Sequence, residues 1–209
     1  MDRYCLEPTD FSISFVREIA ERFRSGEVGI LPTETVYGLM CSKAEPEAVE
    51  RIFRIKQRDF RKKFQVLISS VDNIGILDVP LTTILQHLAK RFWPGPLTVI
   101  VQDAKGEDVG VRIPDDRFLL SILTRMKCPL VATSANVAGG DPARSLSNNF
   151  NDLVPPPDFV VIGEHASGPP STVIRLRKDC VTLVREGRIS LQVLQEFLDE
   201  IPDMTLSDS

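Results

Sequence analysis

Paired cysteines are missing from this chain. Cys5, Cys41, Cys128 and Cys180 lie far apart, and the two histidines, His87 and His165, stand alone. No C-x-x-C spacing exists, which excludes the zinc modules built on it. Scattered thiols of this kind behave as small apolar residues and fit a reducing cytoplasm, the expected location. Long apolar runs are missing too, so no helical membrane span is expected. Met1-Asp2-Arg3-Tyr4 has no apolar run behind it, and no secretory leader is expected either. A basic surplus is absent: 25 Lys and Arg against 29 Asp and Glu leave a formal charge of −4. Proteins that live by gripping nucleic acid carry the opposite sign, so any RNA contact is at most local. Finally, there is no G-x-S-x-G, no G-x-x-x-x-G-K-[ST] and no G-x-G-x-x-G. Phosphate chemistry on this chain needs another kind of cradle.

What is present is an ordinary globular composition, 43% hydrophobic and 26% charged over 209 residues, enough for one large domain with a real core. Ile13, Val16, Ala20 and Phe23 recur at helical spacing up to Gly26. Val49, Ile52 and Phe53 mark a second helix from near Pro46 to Lys56. Ile84, Leu85, Leu88 and Phe92 mark a third, halted by Trp93-Pro94-Gly95-Pro96. Leu119, Ile122, Leu123 and Met126 give a fourth, and Leu194, Phe197, Leu198 and Ile201 a last one. Strands are predicted at Val28–Leu31, Phe64–Ile68, Leu97–Val101, Val109–Pro114, Pro129–Thr133 and Phe159–Ile162. A hairpin is predicted from Ser171–Leu176 and Val181–Arg185. Strands and helices mix throughout, which predicts one α/β domain over residues 1–202 with a mixed, twisted sheet. Residues 203–209 read as a tail without fixed structure.

The chain is organised around Pro32-Thr33-Glu34-Thr35-Val36-Tyr37-Gly38-Leu39. An apolar strand runs into two threonines flanking a glutamate, which places short polar groups at a strand end, where α/β folds bind ligands. The same residues also suit a simple turn or cap. Ser134-Ala135-Asn136 is a second strand end of this type. Lys56-Gln57-Arg58 leaves a helix either as a solvated cap favoured by the helix dipole or pointing towards the core side. Arg58-Asp59-Phe60-Arg61-Lys62-Lys63 reads as a solvated loop or as an anion-binding one. Arg112, between apolar residues, faces water at an edge or is held for a carboxylate or phosphate.

Taken together, seven motifs occur in one order: Pro32–Leu39, Lys56-x-Arg58, Trp93-Pro94-Gly95-Pro96-Leu97-Thr98, Val111-Arg112-Ile113-Pro114, Thr133-Ser134-Ala135-Asn136-x-x-Gly139, Ser171-Thr172-Val173-Ile174 and Arg185-x-Gly187. In this the chain resembles the YrdC/TsaC family over roughly residues 12–190. The resemblance implies an open, twisted α/β sheet with a large concave groove. It also implies an L-threonylcarbamoyladenylate synthase, a nucleotidyltransferase that combines L-threonine, bicarbonate or CO2 and ATP into threonylcarbamoyl-AMP and pyrophosphate. The product would feed a downstream transferase that modifies adenosine in tRNA. On this resemblance Lys56, Arg58, Lys62, Ser134, Asn136 and Arg185 hold ATP, and Thr33, Arg112 and Ser171 hold threonine. Mg2+ accompanies ATP with no dedicated protein site, and no residue acts as a catalytic acid, base or nucleophile. The chain departs from the family pattern at Asp59, where proline is common after K-x-R, at Phe64-Gln65, and at Val137-Ala138. Longer relatives carry a further C-terminal domain, for which this chain leaves no room. The competing reading is a non-catalytic relative whose groove binds double-stranded RNA or a nucleotide.

Overall fold

The computed structural model describes residues 1–5, 11–61, 63–136, 150, 153–163, 168–178, 180–201 and 205–208. The strands are β1 (Asp2–Cys5), β2 (Gly29–Leu31), β3 (Gly38–Ser42), β4 (Gln65–Leu67), β5 (Leu97–Gln102), β6 (Asp108–Arg112), β7 (Leu130–Ser134), β8 (Phe159–Ile162), β9 (Thr172–Arg177), β10 (Cys180–Arg185) and β11 (Thr205–Asp208). The helices are α1 (Ile13–Arg24), α2 (Pro46–Lys56), α3 (Thr83–Phe92), α4 (Arg117–Met126) and α5 (Leu191–Asp199), with a 3-10 helix at Val71–Leu77. All eleven strands join one sheet in the order β1-β8-β2-β3-β7-β4-β6-β5-β9-β10-β11. Parallel pairs (β4 with β6, β5 with β9) alternate with antiparallel ones (β3 with β7, β5 with β6), so the sheet is mixed and open at both edges.

The helices form where the sequence supplies both an apolar stripe and a stop. Ser12, Thr82, Asp116 and Ser190 cap α1, α3, α4 and α5, each accepting from a backbone N–H three residues on. Pro46 opens α2 at a position where its missing N–H costs nothing. Gln57, with φ 45°, closes α2 in the left-handed conformation.

Side chains alternate across a strand, and this places each helix. Along β2, β3, β7 and β8, Leu31, Met40, Ala132, Phe159 and Val161 face α1 and α4. Their neighbours Ile30, Leu39, Cys41, Val131 and Val160 face α2. This half of the sheet is covered on both faces. Gly29 allows the closest approach within it: a Cβ there would lie 2.2 Å from the Phe159 ring. Arg51 of α2 clasps Asp158 at 2.6 and 3.0 Å, and Asp158 also accepts from the Val28 N–H, which ties α2 to the starts of β2 and β8.

The other half is covered differently. Leu97, Val99, Val111, Ile174, Leu176 and Val181 pack on α3 and α5. Thr98, Ile100, Gly110, Arg112, Val173 and Arg175 alternate with them and point the other way. No helix among the described residues covers that face, and it forms the floor of a groove.

The sequence reading differs from the structure in four places. Residues 2–5, read as a lead-in, pair with β8 in parallel. The 3-10 helix at Val71–Leu77 was not foreseen. Gly38–Ser42, of which only Gly38 and Leu39 belong to the ligand motif and none is predicted as a strand, is a central strand. Within the supposed tail, Thr205–Asp208 pair in parallel with Cys180–Leu183 of β10. Among the described residues, no helix is long and apolar enough to cross a membrane.

Candidate functional site

The groove encloses about 770 Å3. Its floor is the uncovered face of β4, β5, β6 and β9, and its walls are the β2–β3 turn, the end of β7, the loop after α2, and the end of β10. Five arginines line it, Arg58, Arg61, Arg112, Arg175 and Arg185, of which Arg61 and Arg175 are paired with Asp59 and Asp108. Clustered arginines with planar, multiple donors suit carboxylate and phosphate groups.

Arg112 comes from the end of β6 and is almost wholly buried. Its Nε donates to Gly95 O at 3.1 Å, and its Nη2 donates to Glu34 Oε1 at 2.5 Å and Thr35 Oγ1 at 3.2 Å. The Trp-Pro-Gly-Pro breaker thus places a carbonyl, and the Pro32–Leu39 motif a carboxylate and a hydroxyl, around one guanidinium. Arg185 Nη2 donates to Ser171 O at 2.7 Å and to Ser171 Oγ at 3.3 Å. Ser171 Oγ lies 3.0 Å from Thr98 Oγ1, which donates to Gln65 Oε1 at 2.8 Å. The result is a polar relay from β10 across β5 to β4. Arg58 lies over the Phe64 ring, 4.8 Å from its centre, and donates to Lys63 O at 3.2 Å. Burial pushes the Arg58 and Arg185 guanidiniums below their ordinary value, and for Arg185 the nearby Arg112 adds to it. Arginine stays charged at neutral pH nonetheless.

Three residues expected at the ligand, Lys56, Asn136 and Thr33, are not among those lining the groove, and their polar atoms are bonded within the protein. The Lys56 ammonium donates to Ser134 O and Asn136 Oδ1 at 3.0 Å each, and also to Asn136 O. All three of its N–H donors are engaged, and burial, followed by the charge of Arg58, pulls its pKa down to about 8. Asn136 is held in the same knot, its Oδ1 accepting from Ser134 Oγ at 2.5 Å. Thr33 is buried as the hub of its own turn: its hydroxyl donates to Val36 O at 2.7 Å and accepts from the Thr35 and Val36 N–H groups at 3.1 and 3.2 Å. Lys56 and Thr33 are satisfied largely by nearby backbone, and Asn136 by the side chains of Lys56 and Ser134, so each polar atom has its partner within the fold.

Arg58, Arg112, Ser134, Ser171 and Arg185 line the groove, as does Thr35, two residues beyond Thr33 in the same motif. Lys62 and Gly139 lie outside the described residues. Of the other basic-loop side chains, Arg61 is bound by Asp59 at 2.6 Å and Lys63 by Glu107. Thr98 and Gln65 were missed. Thr98 was visible inside its motif, but only the β5–β6 and β5–β9 pairings put it beside Ser171.

The far wall depends on Gly187. A Cβ there would lie 2.2 Å from Pro170 O and 2.7 Å from Ser171 O. The close crossing is stapled by Thr172 Oγ1, which accepts from the Gly187 and Ile189 N–H groups at 3.0 and 2.9 Å and donates to Ile189 O. Ser171 and Arg185 owe their positions to this crossing.

An open α/β sheet whose uncovered half carries the buried Arg112, the exposed Arg58 and Arg185 and several hydroxyls defines a class of proteins with an open groove suited to small anions. Comparison with known proteins narrows the class. The family model for Sua5, YciO and YrdC proteins, described as telomere recombination, matches residues 21–187, and the chain belongs to this family. The threonylcarbamoyl-AMP synthase of Pyrococcus abyssi is 32% identical over 196 residues, covering 89% of this chain and 58% of the relative. That of Bacillus subtilis is 31% identical over 209 residues, covering 92% and 59%. The chain therefore spans less than two thirds of the length of these relatives. Among solved structures, P. abyssi Sua5 complexed with L-threonine superposes with a TM-score of 0.85 at 27% identity, covering 98% of this chain and 62% of that one. Escherichia coli YciO shares the fold, with a TM-score of 0.80 at 23% identity, over 92% and 99% of the two chains.

Proposed function

We propose that this protein is an L-threonylcarbamoyladenylate synthase, a nucleotidyltransferase of the cytoplasm. The observation that carries the reading is the groove, where Arg58, Arg112 and Arg185 stand among the hydroxyls of Thr35, Thr98, Ser134 and Ser171. Such a site suits two anionic substrates side by side, and the names of the relatives say which pair to test.

In this reading the amine of L-threonine takes up CO2 derived from bicarbonate, giving a carbamate and releasing a proton. A carbamate oxygen then attacks the α-phosphorus of ATP, the α–β phosphoanhydride bond breaks, and pyrophosphate leaves. The protein's contribution is to position the two reactants and to stabilise charge on the transferring phosphoryl group. Arg112, with Thr35 and Ser171, holds the threonine carboxylate and hydroxyl. Arg58, Ser134 and Arg185 face the nucleotide, joined by Lys62 if it lies at the phosphates. Lys56 and Asn136 act from behind by fixing the Ser134 turn, and Thr33 does the same for Thr35.

Mg2+ would arrive on ATP. Among the described residues no three carboxylate, cysteine or histidine side chains converge on a metal-sized space. The carboxylates lining the groove, Glu107 and Asp108, are held by Lys63, Arg175 and Arg177. The residues do not fit a protein-held ion, and no step here runs through one. The unstable product would pass to a transferase acting on tRNA.

The test is pyrophosphate release from ATP with and without L-threonine and bicarbonate. Release that needs both and fails with D-threonine is the expected result. Folded protein that binds nucleotide but releases no pyrophosphate under any combination would favour a binding-only relative.

A further inference from the structure

The proposed reaction has three substrates, and the site residues named above serve two of them. The carboxyl group derived from bicarbonate is bonded first to the threonine nitrogen and then to the α-phosphorus, so it lies between amino acid and nucleotide. At that place the groove floor carries Gln65, which belongs to none of the seven motifs. Gln65 pairs across the sheet with Ala132 of β7 on one side and Gly110 of β6 on the other, and all three line the groove. Ser134 lies two residues past Ala132, off the start of β4. Arg112 lies two residues past Gly110, beside Leu67 at the end of β4. Gln65 therefore stands between a residue placed at the nucleotide and the residue placed at the threonine carboxylate.

The polarity of its amide is fixed by its neighbours. Thr98 Oγ1 gives its one proton to Gln65 Oε1 at 2.8 Å, so it accepts from Ser171 Oγ, 3.0 Å away. Ser171 Oγ in turn accepts from Arg185 Nη2 at 3.3 Å. A guanidinium only donates, so the row begins at Arg185 and ends on the Gln65 carbonyl oxygen. The two N–H donors of Gln65 Nε2 are left over: no described residue accepts from them, and the nitrogen is not sealed from solvent. The floor beside this amide is hollow. A Cβ on Gly110 would lie 3.5 Å from Thr98 Cγ2 and 3.8 Å from Gln65 Cβ, space that the glycine leaves open. On the other side Ala132 adds only a methyl group. A shallow hollow facing a double N–H donor suits an anion of few atoms with oxygen acceptors. We infer that Gln65 Nε2 and the hollow at Gly110 form the subsite for bicarbonate and for the carbamate carboxylate made from it. The inference rests on the synthase reading above.

The test uses the full chain and two measurements. One is the bicarbonate concentration that gives half-maximal pyrophosphate release at saturating L-threonine and ATP in degassed buffer. The other is calorimetric titration with L-threonine in the absence of bicarbonate and ATP. Gln65→Glu keeps the acceptor for Thr98 and loses both donors; Gln65→Leu loses them without adding charge. Each variant is expected to raise the half-maximal bicarbonate concentration by about tenfold and to change threonine binding by less than about twofold, as suits hydrogen bonds to a charged group. An unchanged bicarbonate requirement in either folded variant overturns the inference. Threonine binding weakened as much as the bicarbonate requirement in both variants also overturns it, because Gln65 would then act only through Thr98 on Ser171. Wild type whose pyrophosphate release does not depend on bicarbonate overturns the synthase reading itself, and the inference with it.

Discussion

Lys56 carries its charge to a place where three carbonyl-type oxygens meet, and the consequences differ for stability and for the site. Below about pH 8 the folded chain bears the cost of a buried ammonium. Between about pH 8 and the ordinary lysine value of 10.5, the unfolded chain holds a proton that the folded chain has shed. That cost is therefore relieved as the pH rises through the window. The neutral amine, however, has two N–H donors for three acceptors, so the Ser134–Asn136 turn loosens over the same range. The KM for ATP is expected to rise above about pH 8 in wild type, while Lys56→Met gives a profile flat there; parallel profiles would show that Lys56 does not govern the turn. Arg112 makes a contrasting case. Arg112→Leu leaves the Glu34 carboxylate buried and unpaired, and the loss of one partner from a buried pair costs about 3–5 kcal/mol. Urea unfolding should register that loss, and pairing the change with Glu34→Leu should recover most of it. In kinetics, Arg112→Leu should raise the KM for threonine far more than that for ATP.

At the scale of elements, the periods of the sequence carried most of the fold. Helical spacing located α1, α3, α4 and α5 to within a few residues, and the structure supplies the caps that the spacing alone did not name: Ser12, Thr82, Asp116 and Ser190. Cap replacement should cost accordingly: Ser190→Ala is expected to lower stability by about 1 kcal/mol, read from the unfolding midpoint. Alternation showed the strands but not their neighbours. Thr98, Gln65 and Ser171 are far apart in sequence and meet only through pairing register, which no single strand encodes. The same gap explains Lys56 and Thr33. Their motifs identified a helix end and a strand end rich in polar groups, but whether a polar atom turns to a ligand or to nearby backbone is decided by the local geometry. Gly187 was legible as part of a motif, and its reason is steric. Gly187→Ala is expected to force Pro170 and Ser171 apart from β10, with a drop of several degrees in the thermal midpoint and loss of threonine binding. An unchanged midpoint would mean that the crossing has slack.

For the whole molecule, the governing fact is a sheet that, among the described residues, has one half covered by helices on both faces and one half on a single face. The covered half supplies rigidity, and the half-bare part supplies the groove. The last strand belongs to this plan: β11 pairs along β10, and Leu206 packs on the core under α5. Removing residues 202–209 should leave the groove in place while the amides of β10 lose their protection in hydrogen exchange; unaltered protection would mean that β11 contributes little to that edge. Net charge is −4 overall while arginines fill the groove, so attraction of anionic ligands is local and short in range. Added salt should weaken nucleotide binding more than threonine binding, since Arg58 and Arg185 are exposed while Arg112 is buried and screened less.

The sheet order also sets a timetable for biosynthesis. The floor needs β9 beside β5, and the far wall needs Arg185 and Gly187, so segments from Thr35 to Arg185 must all be present before the groove exists. A chain emerging from the ribosome could assemble β2, β3 and β7 early, yet it would have no complete groove until Arg185 and Gly187 had followed them out.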